Sequence, residues 1–305
     1  MAELSLMTWN VRYFGHGSRG LRASEPWMGR IACSLAGLER PPDVIALQEV
    51  ETRSMRAGMH DQPQLDRFVE RLNHALGAAG RDLTYRGLHF PAHRYEIGGR
   101  APLYTTGLGA LVRDGIEVIE CETADITCVR LPRFSSLKQR RIAVHLRLAA
   151  ADDTIDLFNT HLSLPAFLEV GPHRVPWAMG HGTNQLREAE ALLDFIAERT
   201  IERGIVVGDF NSLPDSPVYR HITERGWVDA YRDATGATLE ELHQIGTASF
   251  MRVQMHIDHV FSTGVRWDAM RVGHGFHGLS DHLPKLGTLK LTTPSAPHDP
   301  APGVG

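Results

Sequence analysis

Short apolar segments recur along almost the entire chain, and their spacing constrains the fold more than any other feature. Eight of them have the length and the Val, Ile and Leu content of β-strands. They cover residues 4–10, 44–49, 107–112, 142–148, 155–161, 205–209, 256–261 and 285–291. Amphipathic stretches between them predict helices over residues 27–38, 64–76, 184–199 and 216–225, with Ser216 as an N-cap. This alternation predicts an α/β protein, and by itself it favours a doubly wound parallel sheet.

Several predicted strands end in polar residues where an ordinary strand would end in a turn. The motifs are Thr8-Trp9-Asn10, Gln48-Glu49, Asn159-Thr160-His161, Gly208-Asp209-Phe210-Asn211, Ile257-Asp258-His259 and Ser280-Asp281-His282. Taken singly, each is explained by turn chemistry or by a hydrogen-bonded core histidine. Taken together, they supply the carboxylate and amide oxygens that Mg²⁺ prefers, without the cysteines of a structural zinc site. The pattern therefore indicates a site for a hard divalent cation.

In their order along the chain, these six motifs resemble the endonuclease/exonuclease/phosphatase superfamily. That superfamily includes pancreatic-type DNases, abasic-site endonucleases, deadenylases, inositol-polyphosphate phosphatases and bacterial sphingomyelinases. The resemblance runs from residue 4 to about residue 291. It implies a DNase I-like, four-layer α/β sandwich, in which two packed, mostly antiparallel sheets are flanked by helices and the site lies at one end. This expectation rests on the resemblance and displaces the doubly wound sheet.

The resemblance also implies a metal centre. Glu49 would be the main ligand, with Asn10 and Asp281 beside it, and the ion would be Mg²⁺ or Mn²⁺. Because a phosphodiester repels nucleophiles, such an ion would help to neutralise the phosphate and to stabilise the leaving oxygen. Both a one-ion and a two-ion site are compatible with these residues.

Five further residues take roles in catalysis by the same resemblance. Asp209 would position or deprotonate the attacking water, and Asn211 would hold the scissile phosphate. His282 would lie against the phosphate, oriented by Asp258, and His161 would contact another phosphate oxygen. The expected activity is therefore metal-dependent hydrolysis of a phosphate ester, most simply by a phosphodiesterase or nuclease.

The size and charge of the chain limit its partners. A chain of 305 residues with a formal net charge of −4 has no global positive field that would attract a long nucleic acid. The expected partner is a phosphate-ester substrate, with a nucleotide or a locally bound nucleic acid among the candidates, and the oligomeric state is left open. Residues 1–292 are expected to form one catalytic domain, and the Pro-rich residues 293–305 a disordered tail.

The sequence also favours a cytoplasmic location. No segment reaches the roughly 18 apolar residues of a membrane span. The first residues have neither the basic start nor the long apolar run of a signal peptide. The three cysteines (Cys33, Cys121 and Cys128) match no zinc or redox signature and are expected to be reduced, although a Cys121–Cys128 bridge is a minor alternative.

Two segments have more than one interpretation. Residues 130–147 are rich in Arg, Lys and His without any acid, which is typical of a phosphate-binding patch but also of a solvated face. Residues 163–183 follow His161 and contain Leu164, Phe167, Leu168 and Trp177. They predict a substrate-facing lid or a loop that packs onto the core.

Some functions other than a phosphodiesterase are compatible with part of this residue pattern. A phosphomonoesterase and a sphingomyelinase-like lipid phosphodiesterase would use the same residues. A binuclear metallophosphoesterase is disfavoured, because Gly208-Asp209 is followed by Phe-Asn and the other motifs typical of that class are missing. A degenerate binding module would have lost Glu49, Asp209 or His282, and all three are present.

Overall fold

Two β-sheets form the centre of this protein in a computed structural model that describes residues 3–96, 101–128, 139–150, 153–165, 178–250 and 253–291. Within those ranges each of the two sheets has six strands, numbered here in chain order. The first sheet contains, in spatial order, β13 (Arg266–Val272), β14 (Lys285–Lys290), β1 (Glu3–Asn10), β2 (Val44–Gln48), β4 (Tyr104–Arg113) and β3 (Tyr85–Tyr95). The second contains β5 (Glu117–Asp125), β6 (Ile142–Ala150), β7 (Asp153–His161), β8 (Gly204–Asp209), β12 (Asp258–Thr263) and β9 (Val228–Asp229). A separate small hairpin is formed by β10 (Ala248–Phe250) and β11 (Val253–Met255).

One strand pair in each sheet is parallel, and these two pairs locate the site. Among the described strands, β1–β2 and β7–β8 are parallel, and every other pair in the two sheets is antiparallel. The expected sandwich of mostly antiparallel sheets is therefore confirmed, with mixed sheets as the refinement. Because β12 and β14 run against their neighbours, their N-terminal ends lie beside the C-terminal ends of β8 and β1. The predicted polar motifs consequently meet at one end of the sandwich.

The alternation of side chains along the strands builds three apolar layers. Leu4 and Leu6 of β1 point between the two sheets, whereas Met7 and Trp9 point to the outer face of the first sheet. Helices α1 (Glu25–Ala36) and α2 (Gln64–Ala78) cover that outer face. Helices α3 (Thr183–Ala197) and α4 (Pro217–Thr223) cover the outer face of the second sheet. Both faces of the central strands are therefore buried, which explains their nearly continuous apolar sequences.

The eight predicted strands and four predicted helices are all present, with ends that differ by at most three residues. Ser216 caps α4, since its side chain accepts a hydrogen bond from the Tyr219 backbone. Helices α5 (Ala230–Thr235) and α6 (Leu239–Gln244) were not predicted, and neither were strands β3, β5, β9, β10, β11 and β13. Most of these are short or lie at a sheet edge, and β5 has mainly exposed side chains, so the apolar pattern of a buried strand is missing.

Some predictions fall outside the described residues. These are the tail over residues 293–305, the greater part of the 163–183 segment including Phe167, Leu168 and Trp177, and residues 130–138 of the basic run. The Cys121–Cys128 bridge is absent, because Cys121 is an exposed free thiol. Within the described ranges, no helix combines the length and the apolarity that a membrane crossing requires.

Gly208 is required by the close approach of β7 to β8. Its φ is 150°, and a Cβ atom there would lie 2.0 Å from the Thr160 carbonyl oxygen. We expect Gly208→Ala to lower the free energy of unfolding by more than about 3 kcal/mol, since either the backbone contact or the strand pair must give way. A matched control is Gly115→Ala, where φ is 93° but nothing lies within 4 Å of the added Cβ. That change should cost only about 1–2 kcal/mol for the backbone conformation. Equal losses for the two variants in urea titrations would contradict this account.

Candidate active site

Six of the eight predicted site residues line one cavity of about 270 Å³ at the end of the sandwich. They are Glu49, His161, Asp209, Asn211, Asp281 and His282. The other two, Asn10 and Asp258, lie behind its wall and are almost fully buried. The strand ends therefore bring together side chains that are up to 272 residues apart in the sequence, from Asn10 to His282.

Two site residues have left-handed backbones that turn the chain as each strand ends. Glu49 follows β2 with φ 59°, and Asn211 follows β8 with φ 47°. This region is uncommon for residues other than glycine and costs free energy. At Asn211 the turn is held by hydrogen bonds. Its backbone N–H donates to Asp209 Oδ1 at 3.0 Å, and its side-chain Nδ2 donates to the Leu162 carbonyl at 2.9 Å.

Asp209 is the most buried carboxylate that lines the cavity, and it lies at the centre of the hydrogen-bond network. Its Oδ2 accepts a bond from Asn10 Nδ2 at 3.0 Å and lies 3.4 Å from His161 Nε2 and 3.7 Å from His282 Nε2. Burial raises the pKa of the Asp209 carboxyl to about 7, against the opposing effect of His282. A carboxyl with this pKa can accept a proton near neutral pH, as a general base must.

His282 and Asp258 form a buried ion pair beside Asp209. His282 Nδ1 lies 3.1 and 3.0 Å from the two carboxylate oxygens of Asp258, and the ring nitrogen must be the donor because a carboxylate only accepts. Burial by itself lowers the pKa of His282, but the carboxylates of Asp258 and Asp209 outweigh it and raise the pKa well above its ordinary value. The imidazole is therefore held as a cation, with Nε2 directed toward Asp209.

His161 has the opposite electrostatic character. Burial, followed by the positive charges of Arg141 and His282, lowers the pKa of His161 well below its ordinary value. It is a neutral imidazole on one side of Asp209, whereas His282 is a cation on the other. One carboxylate thus lies between a neutral and a charged histidine, both within 3.7 Å.

A polar contact between the sheets supports this end of the sandwich. Gln48 Nε2 donates to Asn159 Oδ1 at 2.8 Å, and Asn159 Nδ2 lies 3.1 Å from the Leu47 carbonyl and 3.2 Å from the Gly109 carbonyl. Both side chains are fully or almost fully buried. These two motif residues thus join β2 and β4 to β7 directly beneath the cavity and fix the distance between the sheets.

The match to known proteins agrees with this arrangement. A model of the Endonuclease/Exonuclease/phosphatase family matches residues 7–282, which include all eight predicted site residues. The chain belongs to this family. The resemblance seen in the six motifs is therefore confirmed. A comparison with curated protein sequences gave no match.

Solved structures of family members have the same fold. An endonuclease/exonuclease/phosphatase from Beutenbergia cavernae is 19% identical with a TM-score of 0.65, over 96% of this chain and 73% of that one. The human Nocturnin catalytic domain with bound sulfate is 18% identical with a TM-score of 0.61, over 95% of this chain and 94% of that one. ANGEL2, a 2′,3′-cyclic phosphatase, is 16% identical with a TM-score of 0.57, over 95% of each chain. At these identities the similarity establishes the fold.

Members of this family are generally hydrolases that depend on a divalent metal, and two sets of side chains here could hold an ion. One set, Asp209, Asp258 and His282, has ligand atoms within 4.8 Å of one another. However, His282 Nδ1 already donates to Asp258, so these two side chains are committed to each other. The other set is the predicted one, in which the carboxylates of Glu49 and Asp281 line the cavity and offer oxygen ligands. The oxygen set fits Mg²⁺ better.

The predicted ligands are held by different partners. Asn10 Nδ2 donates to Glu49 Oε1 at 3.2 Å as well as to Asp209, so Asn10 connects the ligand and the base. Asp281 pairs instead with Arg12, whose Nη1 lies 3.0 Å from Oδ2. Arg12 therefore supplies the positive charge beside Asp281.

Arg12 and Tyr13 line the cavity but are not among the predicted site residues. Arg12 and Tyr13 belong to a run with Phe14 in which three successive residues have φ between 46° and 58°. Nothing in the residue types signals such a turn. Arg141 lines the cavity, is only 7% exposed, and donates to Ser163 Oγ at 3.3 Å.

The described part of the basic run, residues 139–147, is not one continuous surface. Of its described members, Arg140 pairs with Asp125, and Arg147 pairs with Asp156. His145 is buried against Asp156. Leu164, from the described part of the 163–183 segment, also lines the cavity.

Proposed function

We propose that the protein is a divalent-metal-dependent hydrolase of phosphate esters, of the phosphodiesterase or nuclease type. The observation that carries the proposal is the buried Asp209 carboxylate, whose Oδ2 lies 3.4 Å from His161 Nε2 and 3.7 Å from His282 Nε2. Burial raises the pKa of Asp209, and the neighbouring carboxylates raise that of His282, which suits a base beside a cation. A base and an acidic cation within 3.7 Å of each other suit a reaction in which a water is deprotonated while negative charge grows on a neighbouring group. Hydrolysis of a phosphate ester is such a reaction.

In this proposal Asp209 accepts a proton from the attacking water while the oxygen of that water bonds to phosphorus. The ester P–O bond on the opposite side breaks as the new one forms. His282 donates a hydrogen bond from Nε2 to a phosphate oxygen, where its positive charge opposes the charge that accumulates. Asp258 holds the ring in the tautomer that this requires, since Nδ1 is committed to the carboxylate.

The remaining cavity residues would hold the phosphate. The amide of Asn211 has a second N–H besides the one that it donates to Leu162, and this N–H is available to a phosphate oxygen. Arg141 adds a buried guanidinium, which binds phosphate through parallel N–H groups. His161, as a neutral imidazole, can donate one hydrogen bond without adding charge.

Glu49 and Asp281, with Asn10, would hold the metal, which when bound supplies positive charge that neutralises the phosphate and the leaving oxygen. We expect activity to vanish in EDTA and to return with Mg²⁺ or Mn²⁺. Glu49→Gln should raise the Mg²⁺ concentration for half-maximal activity by at least about tenfold, the lower end of what even indirect partners of a metal cost. The same shift should occur in the Mg²⁺-dependent melting temperature, which needs no substrate. The exposed Glu39→Gln is the control, and an unchanged titration for Glu49→Gln would refute the ligand assignment.

The proposed function is tested by a panel of substrates with and without Mg²⁺. Bis(p-nitrophenyl) phosphate reports diester cleavage, and p-nitrophenyl phosphate reports monoester cleavage. Single-stranded DNA and RNA, an abasic duplex, an inositol polyphosphate and sphingomyelin separate the substrate classes. Adenosine 2′,3′-cyclic phosphate belongs in the panel, because ANGEL2 has this fold and is a 2′,3′-cyclic phosphatase. Metal-dependent cleavage of diesters supports the proposal, whereas a protein that cleaves only monoesters, or binds without turnover, overturns it.

A further inference from the structure

A second cavity of about 350 Å³ adjoins the catalytic cavity. The two share Ala248, Ser249 and Asp281 in their walls and are therefore direct neighbours. The second cavity is further lined by His16, Gln254 and His277, together with glycines, Thr247, Ser280 and Leu283. Its volume lies within the range of roughly 300–1,000 Å³ that is typical of small-molecule sites.

The walls of this second cavity are held by backbone hydrogen bonds. The Ser249 N–H donates to the Asp281 carbonyl at 3.0 Å, and the Leu283 N–H donates to the Thr247 carbonyl at 2.6 Å. On the other side, the His16 ring packs on Trp27 with ring centroids 6.2 Å apart. Trp27 in turn donates from Nε1 to the Leu279 carbonyl at 2.8 Å. The cavity is therefore preformed, as binding sites usually are.

The second cavity is lined mainly by polar side chains, and Asp281 is the one carboxylate among its described lining residues. No Lys or Arg is among the described residues that line it. Burial lowers the pKa of His16, which keeps its ring neutral near pH 7. His16 Nδ1 is buried and has no hydrogen-bond partner within the described part of the chain. A buried nitrogen of this kind gains free energy when a ligand supplies the missing partner.

We propose that the second cavity binds the leaving group of the substrate, and that this leaving group is an uncharged nucleoside. This inference rests on the proposed phosphodiesterase function. Asp209 lines the catalytic cavity only, whereas Asp281 lies on the border with the second cavity. Because the leaving oxygen departs opposite to the water that Asp209 activates, the group attached to it extends past Asp281.

The lining also distinguishes a nucleoside from the other substrates of this fold. An inositol polyphosphate would need Lys or Arg side chains for its further phosphates, and the described lining of the second cavity contains neither. A lipid would need an apolar wall, and Ala248 and Leu283 are the only apolar side chains among the described lining residues. A nucleobase and sugar offer hydrogen-bonding groups that match His16, His277 and the Gln254 amide.

The test compares two kinds of diester, with and without nucleosides, in the same variants. The substrates are dinucleoside monophosphates of thymidine and of uridine, and bis(p-nitrophenyl) phosphate, all with Mg²⁺. The double variant His16→Ala/His277→Ala should lower kcat/KM for a dinucleoside monophosphate about tenfold more than for bis(p-nitrophenyl) phosphate, the loss expected for one or two hydrogen bonds. His274→Ala is the matched control, because His274 is exposed in the same loop and lines neither cavity. For His274→Ala, kcat/KM for a dinucleoside monophosphate divided by kcat/KM for bis(p-nitrophenyl) phosphate should equal the wild-type value.

The outcomes separate this inference from the proposed function. If the wild type cleaves neither kind of diester, the phosphodiesterase function fails. If it cleaves both and the double variant loses activity on them equally, the nucleoside site is wrong and the function stands. Cleavage of bis(p-nitrophenyl) phosphate without either dinucleoside monophosphate also overturns the nucleoside site. As an independent readout, free thymidine or uridine should inhibit the wild type competitively and the double variant more weakly.

Discussion

Replacing Asp209 with asparagine is expected to lower kcat by about 10²–10⁴-fold, the range for removal of a general base. The carboxamide is nearly isosteric but cannot take the proton of the attacking water. The fold should survive, because Asn211 N–H and Asn10 Nδ2 donate to different oxygens of Asp209 and one of these bonds can be kept. A thermal melt within a few degrees of the wild type would establish that the variant is folded.

The pH dependence gives the Asp209 prediction a second readout. Only the carboxylate accepts a proton, so with a pKa of about 7 the rate should fall as the pH decreases through that value. In Asp209→Asn the remaining activity should lose this acid limb. Asp156→Asn is a suitable control, since Asp156 is also buried and pairs with His145 and Arg147 near the opposite end of β7. The control should change stability but not the specific activity or the acid limb. Substantial activity in Asp209→Asn with an unchanged pH profile would eliminate Asp209 as the base.

Removing the His282 imidazole is the second change with a large expected effect, again about 10²–10⁴-fold in rate. Asp258→Asn keeps the shape of the partner but removes its charge. Because Asp258 helps to raise the pKa of His282, its loss should lower that pKa. The imidazolium is the active form and exists below its pKa, so the alkaline limb of the pH–rate profile should move to lower pH in Asp258→Asn.

A double-mutant cycle tests whether the pair works as a unit. Once His282 is alanine, Asp258 has no ring to orient, so the second substitution should add little to the first. The measurement is kcat/KM for the wild type, both single variants and the double variant, each shown to be folded and saturated with Mg²⁺. If the two losses simply multiply, Asp258 acts independently of His282 and its assignment as a positioning residue is wrong.

The sequence predicted the parts of this fold whose signals are local. The central strands were predicted because both of their faces are buried, and the helices because one face is apolar. Strand β5 was missed since an exposed edge strand held by backbone pairing needs no apolar alternation. Nor could the strand pattern itself distinguish a sandwich from a parallel sheet, because strand order is set by long-range pairing.

The site likewise contains residues that a local sequence pattern reveals and residues that it does not. Residues such as Glu49 and Asp209 stand out as polar groups at the ends of apolar strands. Arg12 and Tyr13 do not, because their place in the cavity depends on three consecutive left-handed residues, which tertiary contacts help to hold. Phe14 is completely buried against Phe68, and the Tyr13 ring carries the Arg56 guanidinium 3.5 Å from its centroid. These contacts link residues more than 40 positions apart, which no local pattern reveals.

The pairing of β1 with β14 has a consequence for synthesis of the protein. Asn10 is synthesised 272 residues before His282, and both Asp281 and His282 precede β14, the last described strand. The first sheet stays split until β14 inserts between β1 and β13, and this closure spans almost the whole described chain. A nascent chain therefore carries His161, Asp209 and Asn211 before it carries Asp281 and His282. The candidate site can therefore be complete only after β14 has been synthesised and has paired with β1 and β13.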